Sequence, residues 1–391
     1  VLIGLLSNLP LAQASGMGLN AFFAYTVMLG NGYSYNQALA IVFISGVLFI
    51  LITLLGLREA IYRAIPKNVR IAISAGIGMF ITLIGLLNAG IVIKNDATTI
   101  GMCSFNVWNS ATAAALLCLL GLIITGVLMK LKVKGAILYG ILLTWILGML
   151  CQVTGLYVPT PDAGFYSLFP SWGMTDFSKL GLTFGQCFNV DFSAVGIVNF
   201  IVVIFSFLFV DIFDTLGTLI GVATKAKMLD KDGKLPGIKP ALLADSIATS
   251  AGAILGTSTT TTFVESASGV AVGGRTGLTA LVTGILFLVS TLFAPIFTAI
   301  PSFATAPALI MVGFLMVGTV TEINFDLDNL TESIPAYLAI IAMPLFYSIS
   351  EGISMGVISY VLLNVAAGKG KKVAPLMYVL AVLFVLKYIF L

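Results

Sequence analysis

Gly256-Thr257-Ser258-Thr259-Thr260-Thr261-Thr262-Phe263-Val264-Glu265-Ser266-Ala267-Ser268-Gly269 is a threonine-rich run, followed by a carboxylate, that lies between apolar segments. A bilayer interior tolerates polar, irregular backbone only where it is buried in protein or lines a site. Consecutive β-branched threonines favour extended backbone, and the small residues after Glu265 allow a short helix to start there. The run therefore predicts a strand followed by a half-helix. Such a broken element sets free backbone amides beside a buried acid, as the discontinuous helices of transporters do.

The rest of the chain places this run inside a membrane. Of its 391 residues, 59% are hydrophobic and 9% charged, and the mean hydropathy is +1.11, far from the composition of soluble domains. The expectation is an all-α polytopic protein. Apolar stretches near the roughly 20 residues needed to span fall at 36–56, 69–93, 111–130, 135–155, 195–222, 276–300, 304–321, 333–349, 351–367 and 374–391. Shorter or interrupted ones cover 16–29, 240–256 and 257–272.

Composition also narrows the chemistry. Cys103, Cys118, Cys151 and Cys187 have no paired spacing, so neither a disulfide framework nor a metal site is suggested, and no cofactor is expected. Histidine is absent, which leaves aspartate and glutamate to carry any proton chemistry. The net charge of +3 resides in connections and reads as topology rather than nucleic-acid binding. Arg58 to Arg70, Lys130 to Lys134, Lys225 to Lys239 and Lys369 to Lys372 form basic connections that the positive-inside rule assigns to the cytoplasm. The intervening 94–110 and 156–194 should face outward, the second long enough to fold over the outer surface.

Ile61-Tyr62-Arg63-Ala64-Ile65-Pro66 recurs as Ile296-Phe297-Thr298-Ala299-Ile300-Pro301, about 235 residues later. Each copy follows one apolar span and precedes the next. Upstream of each lies an interrupted polar segment, Leu9 to Asn20 in one half and the threonine run in the other. The first copy sits among basic residues and the second does not, which is the pattern of inverted-topology repeats. The division this predicts is a first repeat at 1–155, an extracytoplasmic connection at 156–194 and a second repeat at 195–391. By the same offset, the span near 195 has its partner about forty residues before position 1, so N-terminal span residues are expected to precede Val1.

Three acids stand out. Asp211 and Asp214 are three apart on one face of a strong span, where an unpaired charge costs about 2.5 to 3.5 kcal/mol by insertion scales. Asp211 is the deeper, with Asp214 and Thr215 placed to orient it. Glu265 combines intramembrane depth with a broken backbone, and Phe263 beside it is placed to stack on a planar ligand or simply to pack. Gly16-Met17-Gly18-Leu19-Asn20 has the look of a dinucleotide fingerprint but no βαβ pattern around it. Its glycines fit close backbone approach at a partner half-helix, with Met17 and Asn20 on the ligand side. Asp245 lies close to the basic loop, placed either to snorkel or to pair with Lys239, and Glu322, Asp326, Asp328 and Glu332 read as a solvated acidic connection.

Asn8 to Val27, Asp211 to Leu219 and Thr257 to Leu278 together resemble the nucleobase/cation symporters that include uracil and xanthine permeases, and within them the AzgA-like purine permeases. The resemblance runs over essentially the whole chain. It implies fourteen spans in two inverted sevens, with a core domain that binds the base and a gate domain against which it moves. It further implies two broken helices holding the base through Asp211 and Glu265, Phe263, Val264 and Ser266 supplying stacking and hydrogen bonds, and Met17 lying beneath the ring. Uracil permeases carry a histidine four residues after the first acid. Thr215 stands here instead, which shifts weight onto the carboxylates.

The expectation is therefore a multi-pass plasma-membrane transporter, not an enzyme, taking up adenine, guanine or hypoxanthine by alternating access with a proton (or Na⁺). Asp211, Glu265 and Asp214 are the coupling candidates. A homodimer is one assembly the sequence leaves open. The alternative is an anion transporter of the sulfate-permease type, whose sites want helix N-termini and a basic residue rather than two acids. A channel filter ring and an intramembrane nucleophile with its base are both missing from the sequence.

Overall fold

The computed structural model describes residues 1–16, 19–20, 22–191, 197–230, 235–263 and 265–390. Eight helices among them are long and apolar enough to cross a membrane, and three shorter apolar ones accompany them. In chain order the helices are α1 Leu2–Ser7, α2 Tyr35–Leu54, α3 Leu57–Ala64, α4 Lys67–Asn88, α5 Ser110–Lys130, α6 Ala136–Val153, α7 Ile197–Lys225 and α8 Ile238–Leu255. There follow α9 Ser266–Ala271, α10 Gly277–Leu292, α11 Ala294–Phe297, α12 Ser302–Val317, α13 Leu330–Leu345, α14 Ile349–Ala366 and α15 Pro375–Phe390. A π-helical segment, Phe22–Gly30, precedes α2.

Local chemistry explains where several of these end. Ser34 caps α2 in a capping box with Gln37, and Asn109 caps α5 by accepting from the Thr112 amide. The stretch expected as one span at 276–300 is instead a 16-residue α10 followed by the short α11, with Pro295 in its first turn. The 333–349 stretch is a 16-residue α13 shifted toward the N-terminus, Leu330–Leu345, with Pro335 and Pro344 inside it. After α4 the chain turns at Gly90 (φ 69°) and forms a hairpin, β2 Val92–Asn95 with β3 Thr99–Met102, which the all-α expectation did not include. Its polar turn, Asp96-Ala97-Thr98, supplies the reason: Asn95 Oδ1 accepts from the Ala97 and Thr98 amides at 2.9 and 3.3 Å.

Packing falls into two groups. The helix α4 lies against α12 and α13, α12 also packs on α5, and α5 packs on α6. Separately, α2 lies against α8 and α7, while α1 lies against α8 and α10. The groups meet where α7 packs on α4, through buried Leu216, Leu219 and Ile220 among Ile73 and Ile77. The last helix, α15, packs on α14 and α3, with the Phe384 ring 4.5 Å from that of Phe213.

The connection after α6 crosses the ends of both groups. Trp145 Nε1 donates to Leu168 O at 2.8 Å, the Thr175 amide to Leu292 O at 3.0 Å, and the Gly185 amide to Ile254 O at 2.7 Å.

At the centre, β1 Gln13–Ser15 pairs antiparallel with β4 Thr260–Thr262, in the register Gln13 to Thr262, Ala14 to Thr261 and Ser15 to Thr260. These are the two interrupted polar segments, 245 residues apart at Ser15 and Thr260, satisfying each other's backbone inside an apolar bundle. Gly16 is required at the crossing: a Cβ there would lie 2.6 Å from the Thr261 methyl. Gly256 turns the chain out of α8 at φ 94°, with its carbonyl accepting from Tyr35 Oη at 2.6 Å.

Candidate functional site

The crossed strands hold the candidate residues on two sides. On one side β4 runs directly into the half-helix α9. The Phe263 amide donates to Ala12 O at 2.8 Å and the Ala12 amide to Ser266 Oγ at 2.9 Å, so the start of α9 is fastened to the chain entering β1. Glu265 is the N-cap of α9, and its carbonyl accepts from the Ser268 amide at 2.9 Å and the Ser268 hydroxyl at 2.7 Å. A cavity of about 350 Å³ opens beside it, lined by Phe263, Glu265, Ser266 and Ser268 on one wall and by Thr279, Thr283 and Phe287 of α10 on the other. Its size and mixed apolar and polar lining fall in the range of small-molecule sites.

On the other side α7 carries Asp211, Asp214 and Thr215. Asp211 and Thr215 are fully buried and Asp214 is partly buried. The Thr215 hydroxyl lies 3.3 Å from Asp211 Oδ1, 3.3 Å from Asp245 Oδ2 and 3.0 Å from Thr261 Oγ1. Thr261 in turn hydrogen-bonds Asp214. The β4 strand thus leads at one end to the cavity-lining Phe263 and Glu265, and through Thr261 at its middle it contacts Thr215 and Asp214 of α7.

Asp245 is where the structure departs most from expectation. It is fully buried and does not pair with Lys239, whose Nζ reaches the Leu54 carbonyl at 3.4 Å. Its partner is Arg58, read from sequence as part of a cytoplasmic basic connection. Arg58 Nη2 lies 3.0 Å from Asp245 Oδ2, both side chains have 0% exposure, and the guanidinium stacks 4.8 Å over Phe49. Arg58 Nη1 also donates to Ser246 Oγ at 3.0 Å and Leu242 O at 3.3 Å, and Gln13 Nε2 donates to Asp245 Oδ1 at 3.3 Å. Removing one member of such a pair leaves an uncompensated buried charge, a loss of about 3 to 5 kcal/mol. A signal was present in the sequence: an aspartate inside an apolar span demands a partner, and Arg58 opens a short, strongly amphipathic helix.

Of the other residues singled out, Asn20 Oδ1 accepts from Ser15 Oγ at 2.5 Å and also from Ser258 Oγ, and Asn20 does not line the cavity. Met17 and Val264 lie outside the described residues. Asp211 does not line the cavity either, and its Oδ2 has no hydrogen-bond partner among the described residues.

The profile of the Permease family matches residues 1–385. The chain belongs to this family. It is 46% identical over 391 residues to the guanine/hypoxanthine permease PbuG of Bacillus subtilis, covering 100% of this chain and 84% of that one. To the adenine permease AdeP of Escherichia coli it is 37% identical over 393 residues, covering 100% and 82%. A putative permease of Methanocaldococcus jannaschii is 43% identical, covering 100% and 84%. The transmembrane domain of a cyanobacterium bicarbonate transporter, BicA, superposes with a TM-score of 0.54 over 94% of this chain and 88% of that one, at 16% identity, a likeness of fold alone. This permease is thus a multi-pass membrane transporter and not an enzyme.

Proposed function

We propose that this permease takes up purine nucleobases, adenine, guanine or hypoxanthine, across the cell membrane by alternating access, coupled to a proton. The observation that carries the substrate class is the end-to-end similarity to permeases named for guanine, hypoxanthine and adenine. The site chemistry agrees with it. Purines present ring N–H groups beside carbonyl or amino groups, which a carboxylate such as Glu265 engages through two hydrogen bonds while Phe263 stacks on the ring. Ser266, and by resemblance Met17 and Val264, complete the binding set. An anion substrate fits poorly. Asp211, Asp214, Asp245 and Glu265 surround the crossing, Arg58 is committed to Asp245, and Arg275 Nη1 donates to the Val270 and Gly274 carbonyls at 2.6 and 2.7 Å.

Uptake of radiolabelled hypoxanthine tests the reading. Unlabelled adenine, guanine or hypoxanthine should compete, uracil and sulfate should not, and an uncoupler should abolish accumulation. Competition by sulfate instead of purines would sink it.

The reading includes two inverted repeats, at 1–155 and 195–391, whose helices interleave into a core (α1, α2, α7, α8, α10 and both broken elements) and a gate (α4, α5, α6, α12, α13, α14). Antiparallel pairing of β1 with β4, and the packing of α4 on α12, support this arrangement. Arg63→Cys and Thr298→Cys, each in a background without the native cysteines, are expected to react with an impermeant thiol reagent from opposite sides of intact cells. Both positions are exposed, Arg63 by 55% of its side chain. Labelling from one side would overturn the inversion.

A further inference from the structure

The buried Arg58 and Asp245 belong to neither wall of the cavity, yet they contact the coupling acids through a single hydroxyl. Thr215 Oγ1 is within 3.3 Å of Asp211 Oδ1 and within 3.3 and 3.4 Å of the two Asp245 oxygens. It has one hydrogen to give. Its shortest contact is Thr261 Oγ1 at 3.0 Å, a hydroxyl that also hydrogen-bonds Asp214, so with both aspartates ionised Thr215 satisfies at most one of them. With a proton on Asp211 Oδ1 the chain closes: Asp211 donates to Thr215, and Thr215 donates to Asp245. Asp245 already accepts from Arg58 Nη2 at 3.0 Å and from Gln13 Nε2 at 3.3 Å. Were Asp245 to take the proton instead, the fully buried guanidinium of Arg58 would face a neutral acid, the more costly arrangement.

We propose that Asp245, anchored as an anion by Arg58, is a positioning residue of the coupling step, which through the Thr215 hydroxyl assigns the transported proton to Asp211. This rests on the proton-coupled reading above. The step is a proton transfer only: an O–H bond forms at Asp211 Oδ1 from the outside with substrate, and breaks to water inside. Among the described residues, the charged and titratable groups that face Asp211 are Asp214 on its own helix, Asp245 on α8 and Arg58 on α3, with Glu265 beyond Asp214. The strands contribute only neutral Gln13, Thr261 and Thr262.

The test compares Thr215→Val, which keeps the shape and removes the hydroxyl, with Thr215→Ser, which keeps the hydroxyl, and with Asp245→Asn. Each full-length protein is reconstituted in vesicles, and two quantities are read for labelled hypoxanthine: accumulation under an imposed pH gradient, and exchange with no gradient. For Thr215→Val and Asp245→Asn the ratio of accumulation to exchange is expected to fall by about tenfold or more, and the pH profile of uptake to flatten. Thr215→Ser should restore both. A purely structural role would lower accumulation and exchange together and leave the pH profile in place, and that result overturns the proposal, as does a wild-type ratio in Thr215→Val. If Asp245→Asn does not fold, the isosteric Thr215→Val, read against Thr215→Ser, still decides. Wild-type vesicles that exchange purine but never accumulate it would instead defeat the proton-coupled reading, and this inference with it.

Discussion

Replacing Glu265 by glutamine is expected to weaken purine binding to the purified protein by tenfold or more, equivalent to about 1.4 kcal/mol. The substitution keeps the side-chain volume and the cap position of α9, so the backbone bonds from Ser268 to the Glu265 carbonyl persist. What changes is the acceptor. A carboxylate offers two equivalent oxygens to adjacent donors on the base, whereas the amide offers one oxygen and turns an N–H group toward the other donor. In a cavity walled by Phe263 and Phe287, the purine donor left facing an N–H group has no acceptor in its place, so the mismatch appears in affinity. Binding of labelled hypoxanthine in detergent, with no gradient present, isolates this effect from coupling. Unchanged affinity would remove Glu265 from the site.

The strand and half-helix at Thr260 to Ala271 were legible because their physics is local: β-branched residues, then small ones, in a segment too polar for an ordinary span. Long spans such as α2, α4 and α5 were legible for the same reason, and the sequence bounds agree with the structure to within a few residues at most ends. The stretch at 276–300 was overextended past the end of α10 and that at 333–349 past the end of α13, since proline inside an apolar run lowers hydropathy little while ending or bending a helix. The hairpin at Val92 to Met102 depends on an asparagine turn that composition does not weigh.

The pairing of Arg58 with Asp245 was missed for a different reason. The positive-inside rule treats a basic residue after a span as a topology marker, and at Arg63, more than half exposed, that reading is sound. Arg58 lies five residues earlier, roughly one and a half turns, which puts it on the buried face of α3, and its partner is 187 residues away. No spacing rule reaches that far. The available signal was energetic: Asp245 sits too deep to be left unpaired.

Asp211→Asn is expected to separate transport from concentration. Asp211 is fully buried, its Oδ2 has no hydrogen-bond partner among the described residues, and the cation of the cluster is committed to Asp245. An ionised carboxylate in that position is costly, and carrying a proton removes the cost, so loading from outside and release inside give the carrier a reason to move with substrate bound. Asparagine holds the neutral form permanently. The variant should therefore exchange purine for purine across the membrane but fail to accumulate it in response to an imposed pH gradient. The sign for the wild type follows. Uptake needs the protonated acid on the outer side, so it should fall as external pH rises, while exchange by Asp211→Asn should be nearly independent of pH. Vesicles of Asp211→Asn that still accumulate purine under a pH gradient would move the proton site elsewhere. Glu265 would then be the first candidate, because it is the acid that lines the cavity, and a proton taken up there would be bound and released together with a substrate held in it.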